Sequence, residues 1–359
     1  MIKMKVILLL MICSNFIFAQ NSLVKISNLP PQSEDFTFPL ISYKQKPLVE
    51  EKINTFLQVS ELEFVPNSGK NPFQLAKTAT NSYQNYLYFY EWKKLEGTKN
   101  ILSIEMMGEA TGAYPEGFTN YENFDLRTGN FINLIDLFQP NSIKIVENLI
   151  NKKIEQRVKD YIKELKAESS KEDYFQDQIS MYENCFLDYS LDYLEFNFTK
   201  KNLTVIAGRC SNHAMRALDD LGSHEIVFSY SELQKYFSSY AKNLLNDSEN
   251  LTKTSFQNKL YRGKIDGKYP ITVLIQRNYA EENSFTAVYW YDKTKKLIEW
   301  SGKIKGNHLS IIENDFYDEK KGDWIVRANI EADLIDRKII GTWQDFKTKK
   351  SLKIELEEL

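Results

Sequence analysis

The chain has 359 residues, 42% hydrophobic and 13% aromatic, with a formal charge of −3 at pH 7. That apolar content excludes a disordered or fibrous class and supplies material for about two packed domains. The 46 basic and 49 acidic residues are mixed along the chain rather than blocked, so there is no basic field for nucleic acid.

The N-terminus reads as a secretory signal: Lys3 and Lys5 precede the apolar run Val6 to Ile12, and Phe18-Ala19 closes it on a small residue. Cleavage after Ala19 would leave Gln20 leading a periplasmic or secreted protein. Ser14 and Asn15 interrupt the leader, which is short against the roughly 20 residues that span a bilayer. Ile12 and Met11 stand where a lipoprotein would need a small residue before Cys13. No later run is long and apolar enough to span. With the leader removed only Cys185 and Cys210 remain, an even pair in an oxidising compartment and hence a disulfide candidate; the alternative is two buried thiols. Their spacing matches no zinc motif.

In chain order, Phe36 to Leu40 reads as a short strand. Pro47 opens a helix whose apolar residues Leu48, Val49, Ile53, Phe56 and Leu57 recur at helical spacing, with Glu50 and Glu51 in its first turn. A long loop from about Ser60 to Asn81 follows, with a short helix at Phe73 to Ala79. Tyr86, Tyr88 and Tyr90, and then Ile101 to Met107, predict strands. The longest helix begins after Pro140 and packs a stripe running from Ile143 through Val146, Ile150, Ile154 and Val158 to Leu165. A hairpin is predicted at Leu194 to Thr199 and Leu203 to Ala207, then a strand at Glu225 to Phe228 and a helix at Ser231 to Phe237. Residues 241–257 are polar and unpatterned and read as a linker.

Beyond the linker the pattern changes to strict alternation. Trp324, Val326, Ala328, Ile330, Ala332 and Leu334 alternate with polar residues, as do Leu352, Ile354 and Leu356. About eight such segments fit between Lys259 and Leu359, with turns at Asp266-Gly267, Gly306-Asn307 and Lys321-Gly322. The expected fold is an α+β N-terminal domain (20–240) followed by a small all-β domain (258–359), an up-and-down antiparallel barrel or sandwich.

Three blocks stand in order in the first domain: Gly112-Ala113-Tyr114-Pro115, Asn123-Phe124-Asp125-Leu126-Arg127-Thr128-Gly129, and Leu134-Ile135-Asp136-Leu137-Phe138. Gly222, Glu225 to Phe228 and Tyr230-Ser231-Glu232-Leu233 come after them. The series resembles an extracytoplasmic domain of unknown function found in lysozyme-sensing anti-sigma factors and beside a peptidoglycan deacetylase domain, over about residues 36–240. Where that family shows Gly-Gly-Ala-His-Pro this chain has Thr111-Gly112-Ala113-Tyr114-Pro115, and an irregular stretch from Arg209 to Gly222 replaces a shorter run. The resemblance implies recognition of an envelope protein, lysozyme-like protein or glycan, without chemistry of its own. Gly341-Thr342-Trp343 and Tyr289-Trp290-Tyr291 give the C-terminal strands a weaker resemblance to avidin-like or lipocalin-like barrels.

Candidate partner-binding residues are Tyr114 and Phe118, since tyrosine favours interfaces. Trp290, Trp300, Trp324 and Trp343 are candidates to line a ligand cavity inside the barrel, to fill a small core or to form a binding face. His213 and His224 flank Asp219 and Asp220, a set that could supply a metal site or an acid–base pair, and the Asp219, Asp220 and His224 region underlies an alternative reading as a hydrolase of envelope polymers; the spacing matches no ligand motif, and solvated loop residues are the plainer account. Neither G-x-S-x-G, H-E-x-x-H nor a phosphate-binding loop occurs, so no catalytic residue, metal or cofactor is expected. The expectation is a non-enzymatic binding protein, with small-molecule carriage in the barrel as the other alternative.

Overall fold

Pro47 at the first helical position starts helix α1 (Pro47–Leu62), which ends where Glu63 turns left-handed at φ 49°. Its buried face, with Val49, Ile53, Phe56 and Leu57, packs on a sheet in which β3 (Tyr86–Lys94), β4 (Ile101–Thr111) and β5 (Pro115–Asp125) run as an antiparallel meander. The Phe56 ring meets Phe124 edge-on at 5.5 Å. A hairpin of β1 (Lys25–Asn28) and β2 (Pro39–Ser42) adds to the same core. In this computed structural model the described residues are 24–73, 86–111, 115–168, 173–185, 187–278, 281, 283–318, 320 and 322–359. The expected leader, Tyr114 and nearly all of the helix expected at Phe73 to Ala79 lie outside them.

A second core forms around α2 (Ile143–Glu168). The predicted stripe is the buried one, with Val146, Ile150, Ile154, Val158 and Leu165 all inside. It packs with α3 (Asp173–Glu183) on a sheet of β6 (Glu195–Phe198), β7 (Asn202–Ala207) and β8 (His224–Ser229). Ser229 and Glu232 then close a capping box that starts α4 (Tyr230–Leu233). Cys185 and Cys210 are joined as a disulfide.

The segment read as a linker from residue 241 begins inside a helix, α5 (Ser239–Leu245), whose Ala241 and Leu244 are buried. Residues 246–258 are irregular yet pinned. Arg127 donates to the carbonyls of Ser248 and Asn250 at 3.0 and 3.2 Å, and Ser255 and Asn258 are tied to Asp136 and Asn133.

The C-terminal strands are β9 (Lys259–Ile265), β10 (Tyr269–Arg277), β11 (Ser284–Tyr291), β12 (Ile298–Lys305), β13 (His308–Asp318), β14 (Asp323–Ile335), β15 (Lys338–Asp345) and β16 (Ser351–Glu358). Each pairs antiparallel with the next, and β16 returns to β9 with Leu356 opposite Gly263, which closes a barrel and excludes the sandwich. A Cβ on Gly263 would stand 1.9 Å from the Glu355 carbonyl oxygen, so the closing seam requires glycine. One wall of the barrel is also buried on its outside: Leu260, Leu274 and Trp290 belong to the α1 core. The run Ile271 to Ile275, apolar except for Thr272 and buried at every position, reflects that two-sided burial. Among the described residues no helix is long and apolar enough to cross a membrane.

Candidate functional site

The barrel interior is filled by side chains. Ile271, Val273, Phe285, Tyr289, Trp300, Ile311, Ile330 and Trp343 are all buried in one cluster. Glu313 sits fully buried among them, and its Oε2 accepts from Tyr289 Oη (2.9 Å), Trp343 Nε1 (2.8 Å) and Trp300 Nε1 (3.3 Å). Its Oε1 lies 3.3 Å from Arg327 Nε without hydrogen-bond alignment. Trp300 and Trp343 thus have a defined role as donors to a buried carboxylate.

The other two tryptophans are elsewhere. Trp290 faces outward into the α1 core, because the β11 register puts Tyr289 inside and its neighbour outside. Trp324 is 44% exposed and packs on Tyr317 at 5.7 Å. Beyond the bulge after Glu313, Asn314 to Asp318 pair with Asp323 to Val326 and, among the described residues, with no other strand, so alternation there no longer points into a barrel. Phe118, expected as a partner contact, is half-buried 5.9 Å from Tyr90 and covers Gly108, where a Cβ would meet its ring at 2.4 Å. It serves the core because glycine opposite leaves a ring-sized gap.

The residues that do converge lie at one mouth of the barrel, where α1, the 125–129 turn and the 251–256 segment face the ends of β9, β14 and β16 around a cleft of about 530 Å³. Gly129, at φ 77°, lets this turn sit against the helix: a Cβ there would be 3.0 Å from Val49 Cα and 3.1 Å from Lys52 Cβ. Within the turn Asp125 holds Arg127 two-handed, Oδ1 accepting from Nε at 2.9 Å and Oδ2 from Nη2 at 2.6 Å, both residues buried. This pair aims the remaining guanidinium nitrogen at the carbonyls of Ser248 and Asn250, fixing the wall of the cleft that carries Leu251 and Phe256.

Across from it, Glu358 accepts from Lys259 Nζ at 3.1 Å and from Asn130 Nδ2 at 2.9 Å, with Arg337 Nη2 at 3.7 Å. Lys52 completes the site. It is 2% exposed, and its ammonium donates to the Leu359 main-chain oxygen. Burial pushes its pKa down to about 8, the neighbouring charge of Glu358 opposing that shift. The lining carries five cationic side chains against three carboxylates. Leu48, Val49, Leu251, Phe256, Tyr261 and Leu334 supply apolar wall. Chemically this is a half-apolar cleft with a desolvated ammonium at its wall, suited to an anion on an organic body.

Asp219, Asp220 and His224 do not line the barrel-mouth cleft. Asp219 accepts from Tyr182 Oη (2.9 Å), Gly222 N (3.0 Å) and Ser211 N (3.1 Å), pinning the irregular 209–222 loop. Asp220 accepts from Tyr161 Oη and Gln178 Nε2. His224 is fully buried, and burial together with the Arg157 charge pushes its pKa down to about 4. These contacts are those of a loop clamp.

No family model matches the chain, and no curated protein does. Among solved structures it is similar to a DUF3298-family protein of Bacteroides fragilis, at 13% identity and a TM-score of 0.41 over 62% of this chain and 95% of that one. A DUF3298-family protein of Pseudomonas aeruginosa matches at 12% identity and a TM-score of 0.38 over 60% and 94%. At such scores the similarity assigns neither a family nor an activity.

Of the cleft residues the sequence marks only Asp125, Arg127 and Thr128, which lie in the second motif block, and it marks them without a ligand role. Asp125-Leu126-Arg127-Thr128-Gly129 reads as a turn, and Lys52, Lys259 and Glu358 as ordinary surface charges. Strict strand alternation was the available signal: Lys259 and Glu358 occupy inward positions in line with Tyr261 and Leu356, where a charge demands a partner.

Proposed function

We propose that this chain is a secreted or periplasmic, non-enzymatic binding protein of the bacterial envelope, and that the barrel-mouth cleft captures a carboxylate-bearing glycan or peptide fragment. The observation that carries this reading is the Lys52 ammonium, 2% exposed at the wall of a cleft lined by five cationic side chains against three carboxylates, where burial disfavours its charge. An anion in the cleft offsets that cost, so the site is organised for one. The cleft volume of about 530 Å³ is that of a small-molecule or fragment site. The motif blocks resembling the lysozyme-sensing ectodomains support an envelope setting, and so does a Cys185–Cys210 disulfide, which persists in oxidising compartments. With the barrel interior filled, the avidin-like or lipocalin-like resemblance supports a ligand at the mouth rather than within.

Titration calorimetry of the chain from Gln20 onward tests this with muramyl dipeptide, which carries a free carboxylate, against uncharged N,N′-diacetylchitobiose. Binding of the first and not the second, lost by at least tenfold in Lys52→Met, is expected. Equal binding of both, or binding indifferent to Lys52, contradicts the proposal.

A further inference from the structure

The Cys185–Cys210 disulfide lies apart from the cleft and has a chemically competent neighbour. Cys185 follows α3, Cys210 follows β7 and His224 opens β8. His224 Nε2 is 3.5 Å from Cys210 Sγ, and the two sulfurs and a ring nitrogen fall within 4.8 Å of one another. Both cysteines are half-buried while the imidazole behind them is fully buried.

The ring's proton is assigned from its far side. Arg157 Nη1, which can only donate, stands 3.2 Å from Nδ1. The same guanidinium is held by the carbonyls of Ser223 and Leu221, each at 3.1 Å. Nδ1 is thus the acceptor, and the neutral imidazole carries its hydrogen on Nε2, directed at Cys210 Sγ. A metal on the reduced pair and His224 would need the Nε2 lone pair and would turn an Nδ1–H against the arginine N–H, two donors facing each other. Hydrogen bonding to sulfur is the role this arrangement favours.

We propose that Cys185–Cys210 is a thiol-exchange site, opened by a small external thiol that attacks Cys185 with Cys210 as the leaving thiolate. The thiolate of a glutathione-class reagent forms a bond to Cys185 Sγ as the Cys185–Cys210 bond breaks. The electron pair passes to Cys210 Sγ, which stays a thiolate and accepts a hydrogen bond from the His224 Nε2–H. A second external thiolate then attacks the external sulfur of that mixed disulfide, forming the reagent's own disulfide and releasing Cys185 as a thiolate that takes a proton from water. Two electrons have passed from the reagent to the chain. A stabilised leaving thiolate speeds exchange and directs it to the other sulfur, and the Arg157 charge behind the ring acts in the same direction. Asp219 is the opposing charge that also faces His224, with its oxygens engaged by Tyr182, Ser211 and Gly222.

Two measurements on the chain from Gln20 onward test this. The oxidised protein is exposed to glutathione at pH 7, quenched in acid and peptide-mapped; the mixed disulfide is expected on Cys185 at least tenfold over Cys210, and an even split or an excess on Cys210 overturns the proposal. After reduction, alkylation by iodoacetamide is followed against pH at each cysteine. Cys210 is expected to half-titrate about one pH unit or more below Cys185, and the gap should close in His224→Phe. Coincident titration in the native sequence, or a gap that survives the substitution, overturns it. Where His224→Phe fails to fold, Arg157→Gln frees the ring's proton and is expected to narrow the same gap, and an unchanged gap counts against the proposal. Zinc binding by the reduced chain through His224 overturns the proton assignment.

Discussion

Lys259 donates to Glu358 at 3.1 Å, joining the first barrel strand to the last with both side chains almost fully buried. The pair stands at the cleft, so the same carboxylate that seals the barrel seam also supplies counter-charge to Lys52. Removing it by Glu358→Ala leaves two buried ammoniums without that partner. The expected loss is about 3–5 kcal/mol in urea unfolding. Glu358→Gln keeps the acceptor for Asn130 and is expected to lose less.

Lys52 gives the stability a definite pH dependence. Its folded pKa of about 8 lies below the ordinary lysine value of 10.5. Between these values the unfolded chain holds a proton that the folded chain has released, so stability rises with pH across that window. Below pH 8 both states are protonated and the cost is present in full, roughly 3 kcal/mol at about 1.4 kcal/mol per pKa unit. Chemical denaturation at pH 7 and pH 10 is expected to show this rise, and Lys52→Met to remove it. An anionic ligand favours the charged form, so its affinity is expected to fall as pH passes 8.

A second buried charge sits under α1. Glu122 is 8% exposed, and its Oε2 is buried without a hydrogen-bond partner, while nearby Glu61 accepts from Tyr90 Oη at 2.6 Å. Burial pushes the Glu122 pKa well up, and the Glu61 and Glu195 charges add to it. Its folded pKa exceeds the unfolded one, so its contribution is present at low pH and is lost as pH rises through the folded value. Glu122→Gln is expected to raise stability at pH 8 by at least about 1 kcal/mol, one pKa unit being about 1.4 kcal/mol. The gain should vanish near pH 4, as thermal unfolding at the two pH values would show.

Inside the barrel, Glu313 collects three aromatic donors on one oxygen. Glu313→Ala both opens a cavity and strands those donors, and about 3–5 kcal/mol of destabilisation is expected. Glu313→Gln keeps an acceptor and should cost less than half of that. Guanidinium unfolding monitored by tryptophan fluorescence separates the two, since Trp300 and Trp343 report directly on the contact.

Periodicity made much of the scaffold legible: α1, α2, the 194–207 hairpin and the strands around Trp324–Leu334 and Leu352–Leu356 stand where alternation and helical spacing put them, and the expectation of about eight C-terminal segments matches the eight strands β9 to β16. Three things escaped it. Trp290 reads inward because alternation names two faces of a strand without saying which one meets a neighbour, and here both are covered. Trp324 follows the pattern past the point where β13 and β14 leave the barrel. The cleft was hidden for a different reason, since Lys52, Arg127 and Glu358 come from three distant parts of the chain and acquire their chemistry only when the barrel mouth is covered.

The most direct test is to follow Lys52 itself. With ¹³C-labelled lysine in the chain from Gln20 onward, NMR titration of the side-chain carbons is expected to show one lysine with a pKa near 8, absent in Lys52→Met and moving upward when muramyl dipeptide is added. A Lys52 that titrates with the surface lysines near 10.5, unmoved by a carboxylate ligand, would contradict a cleft organised for an anion.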